Sequence, residues 1–387
     1  MLLYFFFAFC YNLGMSFSLE LLKKESLKKA LSEMQIETLS EVQQECIPDL
    51  LSASSVRILS PAGSGKTLTY LLPLLDRMEV QKGKKHLPVM LVLVPTRELA
   101  LQTADVCRKC LKYTEGIRTA VLTGGVGIDA QIRSFHNGAD IVIATPARLL
   151  DHIRRHTFRP KALQDVVLDE ADRMADMGFL SDVQAVYAQI PSVRTICLSA
   201  TEDARLDTLA EQYFPDAVMH HITHSVLLHQ DIRFQIVHVK KQYKLQAVAE
   251  ILKQSQDAAI VFCNTRRMAD QLVQNLHKNH ISSAALHSEM DPAVRRKTMQ
   301  DYRSGKCRVL AATDVLSRGI DVTTTALVLL YDMPSELNDL IHRIGRTARG
   351  GQSGTVCILQ CGKTDPVFAA YCQKEHPEIE KFQWNPR

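Results

Sequence analysis

Short runs of apolar residues alternate with amphipathic stretches along most of the chain. The runs are rich in Val, Ile and Leu, and few polar residues interrupt them, which is typical of strands that helices cover on both faces. The pattern therefore predicts an α/β fold built on mainly parallel sheets. The predicted strands lie at Val56–Leu59, Val89–Val94, Asp140–Ala144, Val166–Leu168, Arg194–Leu198, Ala259–Cys263, Arg308–Ala311, Ala326–Tyr331 and Thr355–Leu359.

The stretch from Met219 to Arg233 breaks this alternation and carries four His. We interpret residues 218–231 as a polar linker rather than a metal site, because no Cys or carboxylate spacing completes a ligand set. The predicted organisation is then an apolar extension at residues 1–16, an α/β domain at 17–217 and a second α/β domain at 232–387.

Composition narrows the class of protein. The chain has 387 residues, enough for two or three domains. Its 46 Lys and Arg against 42 Asp and Glu give a net charge of +4. A charge this small excludes a histone-like protein that coats a nucleic acid with basic residues, but it permits a local basic groove.

Ten Cys are too few for a disulfide scaffold in a chain of this length, so we expect reduced thiols in an intracellular protein. The CxxC at Cys107 and Cys110 has no second pair, which favours two thiols on a helix face.

The segment Met1–Met15 is apolar and aromatic but too short to span a bilayer as a helix. No Lys or Arg precedes Lys23, so neither a secretory nor a mitochondrial signal is well formed. Three interpretations stay open: a weak membrane-directed leader, a buried or partner-binding extension, and a stretch upstream of a true start at Met15. We expect no stable membrane association.

The sharpest chemical signal is SPAGSGKT at residues 60–67, which follows a β-type run and precedes a helical pattern. Such a loop presents backbone N–H groups and a helix N-terminus to a phosphate. Gly63 and Gly65 allow close approach of the backbone, Lys66 can reach the β- and γ-phosphates, and the Thr67 hydroxyl can ligate Mg²⁺. Because the loop begins with Ser where the generic motif has Gly, this segment alone is a moderate match.

A second signal strengthens the first. The segment Val166–Asp172 is an apolar strand that ends in acidic residues, and an open parallel sheet binds its ligand at the carboxyl ends of its strands. Asp169 is then placed to hold Mg²⁺ through water, and Glu170 to orient and deprotonate an attacking water. An acidic helix start is the plain alternative, but it leaves the upstream phosphate loop unexplained.

A third signal lies near the end of the chain, where Arg346 and Arg349 are three residues apart on one face of a helix or turn. Guanidinium groups stabilise charge that develops on a γ-phosphate during transfer. These arginines belong to the second predicted domain, so they could reach the nucleotide only if the two domains close. A basic helix face is the alternative that the other two signals disfavour.

Together these segments resemble the DEAD-box RNA helicases of superfamily 2 over most of Phe17–Gln383. The similar motifs, in order, are SPAGSGKT (60–67), PTRELA (95–100), GG (124–125), TPARL (145–149), DEAD (169–172), SAT (199–201), VFCNTR (261–266), ATDVLSRGID (312–321) and HRIGRTAR (342–349). The resemblance implies two tandem RecA-like domains, ATP and Mg²⁺ as cofactors, and an RNA-stimulated ATPase. It also implies local separation of short RNA duplexes or remodelling of ribonucleoproteins.

The resemblance implies a role for individual residues. The Phe17 ring would stack on adenine, the Gln43 amide would bind the adenine edge, and the Asp321 carboxylate would contact the ribose. The residues of the phosphate loop complete the nucleotide site, namely Ala62, Gly63, Ser64, Gly65, Lys66 and Thr67. Coupling between nucleotide and RNA is implied for Ser199, Thr201 and His342. Contacts to the RNA sugar-phosphate backbone are implied for Arg97, Gly125, Thr145, Arg148, Thr265, Arg266 and Thr313.

Four features depart from the family pattern. The usual Pro residues are missing around Leu39–Gln43, where Pro would stiffen the loop. Ala147 and Ala348 replace Gly, although Ala disfavours positive φ, and Ala62 replaces Thr. These are small changes, and we expect activity to survive them.

Two rival functions use the same residues: an ATP-dependent RNA clamp or assembly scaffold, and a DNA-directed helicase. The sequences of the DEAD and PTRELA motifs disfavour the DNA-directed helicase. We expect a monomer that binds single-stranded RNA or a short duplex through its backbone with little sequence preference. A protein cofactor is a further possible partner, and the nucleus, nucleolus or cytoplasm are the candidate compartments.

Overall fold

Two open parallel sheets organise the protein. The computed structural model describes residues 19–52, 55–60, 64–83, 85–222, 232–287, 289–313, 325–348, 353–375 and 377–384. The chain divides into two compact units with the boundary between residues 224 and 225. No helix within these described ranges is long and apolar enough to cross a membrane.

The first unit holds a seven-stranded sheet in the order β3-β4-β2-β5-β6-β1-β7. Its strands are β1 (Val56–Leu59), β2 (Met90–Leu93), β3 (Thr119–Leu122), β4 (Ile141–Ala144), β5 (Asp165–Leu168), β6 (Arg194–Ser199) and β7 (Val218–His221). Every neighbouring pair is parallel. The helices are Glu25–Glu33, Glu41–Ser52, Lys66–Arg77, Arg97–Cys110, Ile128–Ser134, Pro146–Arg154, Ala171–Asp176, Leu180–Tyr187 and Ala204–Tyr213, with short 3₁₀ turns at Leu19–Leu21 and Pro160–Ala162.

The second unit holds another seven-stranded parallel sheet, in the order β10-β11-β9-β12-β13-β8-β14. Its strands are β8 (Ile232–His238), β9 (Ala259–Phe262), β10 (Ser283–Leu286), β11 (Val309–Ala312), β12 (Leu327–Leu330), β13 (Gly354–Gln360) and β14 (Ile379–Gln383). The described helices are Lys244–Gln254, Arg266–Lys278, Pro292–Arg303, Leu337–Ile344 and Pro366–Glu375, with a 3₁₀ turn at Lys241–Tyr243. Counted from its own first strand, each sheet has the same order, 3-4-2-5-6-1-7.

The central strands are buried on both faces. All four residues of β2, β4 and β5 are buried, and so are those of β9, β11 and β12. In β2, Val92 packs into the core on one side of the sheet, whereas Leu91 and Leu93 pack into the core on the other. This double burial is the reason that continuous apolar runs, rather than alternating ones, predict these strands.

Each of the nine predicted strands is present, with its bounds within one residue of the apolar run. Five strands were not predicted: Thr119–Leu122, Val218–His221, Ile232–His238, Ser283–Leu286 and Ile379–Gln383. Four of these five lie at the edges of the sheets, where one neighbour is missing and a long apolar run is not needed.

The linker prediction was wrong at its beginning. Val218–His221 form the edge strand β7, paired in parallel with β1, instead of a polar connection. His220 lies against the helix Glu41–Ser52, with Nε2 at 2.9 Å from Asp49 Oδ2 and Nδ1 at 3.4 Å from Glu45 Oε1. The contacts of His220 with Asp49 and Glu45 therefore connect strand β7 to this helix. Strand β8 begins at Ile232, where the second domain was predicted to start, and residues 223–231 lie outside the described ranges.

The CxxC segment is helical, as predicted. Cys107 and Cys110 lie on the helix Arg97–Cys110, and both side chains are buried. Burial raises the pKa of Cys107 to about 11 and that of Cys110 to about 12. Both thiols are therefore protonated at neutral pH and form part of the core of the first unit.

Candidate nucleotide and RNA site

Most of the candidate site residues fall within the described ranges. Five do not, namely Phe17, Ala62, Gly63, Asp321 and Arg349. For these residues the roles implied by the family resemblance stay predictions.

The end of the phosphate loop is held by its own polar groups. Strand β1 ends at Leu59, and the next helix begins at Lys66 after Gly65, whose φ is +96°. The Lys66 Nζ donates to the Ser60 carbonyl oxygen at 2.6 Å, and the Ser60 and Ser64 hydroxyls are 2.7 Å apart. A left-handed glycine directly before the helix turns the first N–H groups of that helix toward the loop, which is the arrangement that binds phosphate.

Gln43 braces this loop from the helix Glu41–Ser52. Its side chain is buried, with Nε2 donating to the Gly65 carbonyl at 3.3 Å and Oε1 accepting from the Ser40 N–H at 2.9 Å. The Ser40 hydroxyl donates to the Ser64 carbonyl at 3.0 Å. The segment predicted to read adenine is therefore also a structural support of the phosphate loop. An amide has two donor hydrogens and two acceptor lone pairs, so Gln43 keeps capacity for a base edge.

Asp169 is a buried carboxylate at the carboxyl end of β5. It follows Leu168 directly, and its Oδ2 accepts from the Tyr70 Oη at 3.0 Å. Burial first, and then the neighbouring charge of Glu170, raise the pKa of Asp169 to about 6, against an opposing effect of Lys66. Tyr70 belongs to the helix that starts at Lys66, so this bond joins the phosphate-loop helix to the acidic strand end. The sequence analysis did not identify Tyr70.

Glu170 adopts an unusual backbone conformation and is paired with a buried cation. Its φ is +53°, in the left-handed region, at the position before the helix Ala171–Asp176. The Arg173 Nη1 donates to Glu170 Oε2 at 2.6 Å, and Arg173 is almost fully buried. A left-handed non-glycine residue costs of order 1 kcal/mol or more and persists only where the surroundings impose it. Arg173, which the sequence analysis missed, holds the side chain of Glu170.

Asp172 connects the acidic strand end to the segment after β6. Its Oδ2 accepts from the Ala200 N–H at 3.0 Å, the Thr201 N–H at 3.1 Å and the Thr201 hydroxyl at 2.9 Å. The structure thus brings together two of the predicted motifs and gives Thr201 a direct partner. The Asp172 Oδ1 accepts from the Arg173 N–H at 3.0 Å. Asp172 is the last residue of the DEAD segment, but the sequence analysis did not predict a role for it. With 1% exposure and hydrogen bonds on both carboxylate oxygens, it is structurally central.

The RNA-contact candidates of the first unit surround the loop 123–126. The Arg97 Nη1 donates to the Gly125 carbonyl at 3.0 Å, and the Arg148 Nη1 donates to the Val126 carbonyl at 2.8 Å. Gly125 has a φ of +74°, and a Cβ there would lie 2.5 Å from the Arg97 Nη1. Thr96 and Thr145 each directly precede a helix that begins with or near one of these arginines, and the Thr96 hydroxyl caps its helix by accepting from the Leu99 N–H at 3.2 Å.

The RNA-contact candidates of the second unit lie at strand ends. Thr265 caps the helix Arg266–Lys278, accepting from the Met268 N–H at 3.2 Å. Arg266 forms an ion pair with Glu289. Thr313 follows β11 and is buried, with its N–H donating to the Leu286 carbonyl at 3.2 Å. These residues all lie near the carboxyl ends of β9, β10 or β11, where an open parallel sheet binds ligands.

The helix Leu337–Ile344 and the turn after it contribute three buried basic groups, His342, Arg343 and Arg346. Arg343 was not predicted and is the most deeply buried of them. It donates to the Asn264 Oδ1 at 2.8 Å and to the Asp332 carbonyl, and its guanidinium lies 5.2 Å from the centre of the Phe262 ring. This cluster fixes the segment that bears His342 and Arg346 within the second unit.

Comparison with known proteins decides the family. The DEAD/DEAH box helicase family model matches residues 40–209, and the helicase conserved C-terminal domain model matches residues 243–351. The DEAD-box ATP-dependent RNA helicase RhpA of Helicobacter pylori is 35% identical over 365 residues, which cover 93% of this chain and 73% of RhpA. The chain belongs to the DEAD-box helicase family. The resemblance inferred from the motifs is thereby confirmed.

Two further DEAD-box comparisons extend this result. The ATP-dependent RNA helicase DeaD of Haemophilus influenzae is 40% identical over 325 residues, covering 84% of this chain and 52% of DeaD. The chain thus spans about half the length of the DeaD proteins that it matches. A solved structure of S. cerevisiae Dbp5 bound to RNA and ADP BeF3 has a TM-score of 0.80 at 25% identity, covering 93% of this chain and 94% of that one. The expected pair of RecA-like domains is confirmed.

Two departures from the DEAD-box pattern have different structural consequences. Ala147 is exposed in the helix Pro146–Arg154, where Ala is a better residue than Gly. Ala348 has a φ of +54°, a conformation that Gly adopts without strain and Ala does not. The first replacement is therefore favourable to the fold, and the second is strained.

Proposed function

We propose that this DEAD-box protein hydrolyses ATP in an RNA-stimulated reaction and uses the cycle to separate short RNA duplexes or remodel ribonucleoproteins. The observation that carries the proposal is the 3.0 Å hydrogen bond from Tyr70 to Asp169, which ties the phosphate-loop helix to the acidic end of β5. The names of the relatives RhpA and DeaD, both ATP-dependent RNA helicases, support the same chemistry.

In this proposal the triphosphate lies at the start of the helix Lys66–Arg77. The Lys66 ammonium, which donates to the Ser60 carbonyl in the structure, exchanges that partner for phosphate oxygens. Gly65 has no side chain, which leaves room for the Gln43 amide and the Ser40 hydroxyl beside the loop. Gln43 and Ser40 hold the loop in place while they contact the Gly65 and Ser64 carbonyls.

The residues at this position fit Mg²⁺. Asp169 is a buried carboxylate, and the Thr67 hydroxyl lies on the first turn of the adjacent helix; both are hard oxygen donors of the kind that Mg²⁺ prefers. Burial that raises the pKa of Asp169 to about 6 penalises the ionised carboxylate, and a divalent cation would offset that penalty. When bound, the ion neutralises charge on the phosphates.

Glu170 is proposed to orient the attacking water and accept its proton. Arg173 holds the Glu170 carboxylate at 2.6 Å and so limits the directions in which it can point. Arg346, with Arg349, is proposed to stabilise charge on the γ-phosphate. Asp321 and Phe17 are proposed to contact the ribose and the base.

RNA is proposed to contact both units through its sugar-phosphate backbone. In the first unit Arg97 and Arg148 each have one nitrogen held by a loop carbonyl, which leaves further N–H groups for phosphate oxygens. Ser199, Thr201 and His342 are proposed to couple nucleotide state to RNA binding. Backbone contacts carry no sequence information, so affinity should depend strongly on salt and weakly on sequence. We propose that a single copy of the chain is active and that a protein cofactor directs it.

The test measures ATP turnover alone, with single-stranded RNA and with matched DNA, and strand displacement on a short RNA duplex. We expect stimulation by RNA and none comparable by DNA. Lys66→Ala should abolish turnover, whereas Lys82→Ala, an exposed lysine of the same unit, should not. Glu170→Gln should bind ATP and RNA but fail to cycle. Equal stimulation by DNA, or turnover retained in Lys66→Ala, would overturn the proposal.

A further inference from the structure

A buried chain of hydrogen bonds lies behind Arg148, and its members carry no role in the proposed function. It runs from Thr157 through His152 and Gln131 to the Arg148 guanidinium. We propose that His152 is a positioning residue that acts through Gln131 to aim Arg148 at an RNA phosphate. This inference rests on the proposed function, because it assigns a purpose to one of its RNA contacts.

His152 and Arg148 lie four residues apart on the helix Pro146–Arg154, and so on the same face of that helix. His152 is fully buried. Its Nε2 lies 3.2 Å from Gln131 Oε1, and its Nδ1 lies 2.8 Å from the Thr157 hydroxyl. The Phe135 ring contacts the imidazole edge to face, with 6.4 Å between ring centres. Both nitrogens of the imidazole therefore have a hydrogen-bond partner, and the Phe135 ring packs against it.

The proton on the imidazole can be assigned from its partners. The Gln131 Nε2 donates to the Thr123 carbonyl at 2.8 Å, which directs Oε1 toward His152 and Arg148. An amide oxygen only accepts, so the His152 Nε2 must carry the hydrogen, which leaves Nδ1 as an acceptor. The Thr157 hydroxyl shares its one hydrogen between this Nδ1, at 2.8 Å, and the His152 carbonyl oxygen, at 3.0 Å. His152 is thus a neutral donor whose orientation is set by two neighbours.

The charged groups around His152 favour this neutral form. Burial lowers the pKa of His152, and the nearby Arg148 lowers it further, with a smaller effect in the same direction from Arg155. Asp151 acts in the opposite direction. The neutral imidazole keeps a single N–H, and that N–H is already committed to Gln131.

Gln131 Oε1 accepts from His152 and from the Arg148 Nη1, which lies 2.9 Å away. With two donors, both lone pairs of this oxygen are used, so the amide cannot rotate without losing a bond. Arg148 Nη1 also donates to the Val126 carbonyl, and Nη2 makes no hydrogen bond to another residue within the described ranges. The Arg148 Nε lies 3.7 Å from Asp151 Oδ2, so Nη1 and Nε both face groups of the protein. Nη2 is the nitrogen that we assign to a phosphate.

The same amide organises the loop that Arg148 and Arg97 contact. Gln131 holds the Thr123 carbonyl, Arg97 holds that of Gly125, and Arg148 holds that of Val126. Removing the His152 donor would take away one of the hydrogen bonds that hold the Gln131 amide, and so would weaken one anchor of Arg148. The expected result is weaker RNA binding with little change in the ATP site, which lies on other elements.

The first experiment uses the full chain with a fluorescent single-stranded RNA. His152→Phe keeps the ring and its packing but removes the donor, and we expect the RNA dissociation constant to rise about five-fold, the value of one lost hydrogen bond. ATP turnover at saturating RNA should stay within about two-fold of the unchanged protein. The slope of log affinity against log salt should fall by about 0.7, as expected for one lost phosphate contact on a single strand.

Three variants serve as controls. His152→Gln retains an N–H donor and should restore most of the affinity, and Gln131→Met should reproduce the loss because it removes the linking amide. His136→Phe changes an exposed histidine of the same unit and should have no effect. Thermal unfolding of each variant checks that the fold is intact. If Gln131→Met and His152→Phe both fold and bind RNA normally, the inference is wrong.

A double-mutant cycle gives the decisive comparison. If His152 acts through Arg148, adding His152→Phe to Arg148→Ala should produce no further loss of RNA affinity. Fully additive losses would overturn the inference, and so would normal RNA binding by Arg148→Ala. In either case, the proposed function would still hold if the unchanged protein shows RNA-stimulated ATP turnover. Absence of RNA binding by the unchanged protein would instead overturn the proposed function, and the inference with it.

Discussion

Gly65 combines two constraints at one position. Its φ of +96° is unfavourable for any residue with a side chain, and a Cβ there would lie 2.8 Å from the Gln43 Nε2 and 3.1 Å from the Ser40 hydroxyl. Gly65→Ala should therefore displace the groups that brace the phosphate loop. We expect ATP affinity to fall about ten-fold or more, equivalent to about 1.4 kcal/mol, as measured by titration with a fluorescent ATP analogue.

Gly83→Ala is the matched control for this prediction. Gly83 has a φ of +117°, but nothing lies within 4 Å of a Cβ built there. Both substitutions should lower the free energy of unfolding by about 1–2 kcal/mol through backbone strain. Only Gly65→Ala should weaken ATP binding, and equal ATP affinity in the two variants would contradict the assignment of the loop.

Ala348 and Ala147 allow a second paired prediction at this scale. Ala348→Gly should raise the free energy of unfolding by about 1 kcal/mol, because glycine adopts a φ of +54° without strain. Ala147→Gly should lower it by about 1 kcal/mol, because glycine is a poor residue in an exposed helix. Urea unfolding of each variant measures both values. Changes of the same sign would show that backbone conformation does not decide these positions.

At the scale of elements, Asp172 joins two segments that follow neighbouring strands, β5 and β6. Thr201→Val removes one of the three hydrogen bonds to Asp172 Oδ2 and keeps the two from the Ala200 and Thr201 backbone N–H groups. We expect RNA-stimulated ATP turnover within about two-fold of normal, while duplex separation falls about five-fold, the effect of one hydrogen bond. Parallel ATPase and strand-displacement assays measure the two rates.

The control for this prediction is Thr208→Val, in an exposed helix position whose hydroxyl contacts the Ala204 carbonyl. It should change neither rate. If Thr201→Val lowers ATP turnover and duplex separation equally, the contact between Thr201 and Asp172 serves hydrolysis rather than coupling.

The elements that sequence predicted are those whose environment demands a continuous apolar run. The central strands β2, β4 and β5 are buried on both faces, and each was predicted within a residue. The edge strand β3, Thr119–Leu122, is only partly buried, and β10, Ser283–Leu286, is composed of small residues with one Leu. The sequence of such a segment contains few large apolar residues, because an edge strand has a neighbouring strand on one side only and is less buried.

The residues of the candidate site also fall into a group that the sequence predicted and a group that it did not. Residues predicted to act on a ligand, such as Lys66 and Asp169, belong to motifs that can be identified in the sequence. Residues that act on other residues, such as Gln131 and His152, have partners that the fold brings close. Their roles could not be predicted because a hydrogen bond between positions 21 residues apart leaves no periodic trace in the chain.

At the scale of the whole molecule, the proposed reaction requires groups from both units. The first unit contains its own sheet with hydrophobic cores on both faces, so it should fold alone. We expect residues 1–224, once shown to be folded by circular dichroism, to bind ATP but to lack RNA-stimulated turnover, because Arg346 is absent. Steady-state ATPase assays with and without RNA measure this against the full chain.

Mixing the first unit with an excess of separately expressed residues 225–387 is the complementary measurement. Partial recovery of RNA-stimulated turnover is expected, since the missing groups are supplied at low effective concentration. Turnover by the first unit alone at the rate of the full chain, with no effect of RNA, would contradict the two-unit reaction.

The shared strand order of the two sheets places some residues of the two units at corresponding positions. Lys244 begins the helix after β8, just as Lys66 begins the helix after β1. Lys244 Nζ lies 3.1 Å from Asp332 Oδ1, two residues beyond β12, the counterpart of β5. In the first unit the lysine lies beside the phosphate loop, whereas in the second unit the lysine and the aspartate form an ion pair with each other. Nucleotide binding at the corresponding place in the second unit would therefore require both a new loop and the loss of this ion pair.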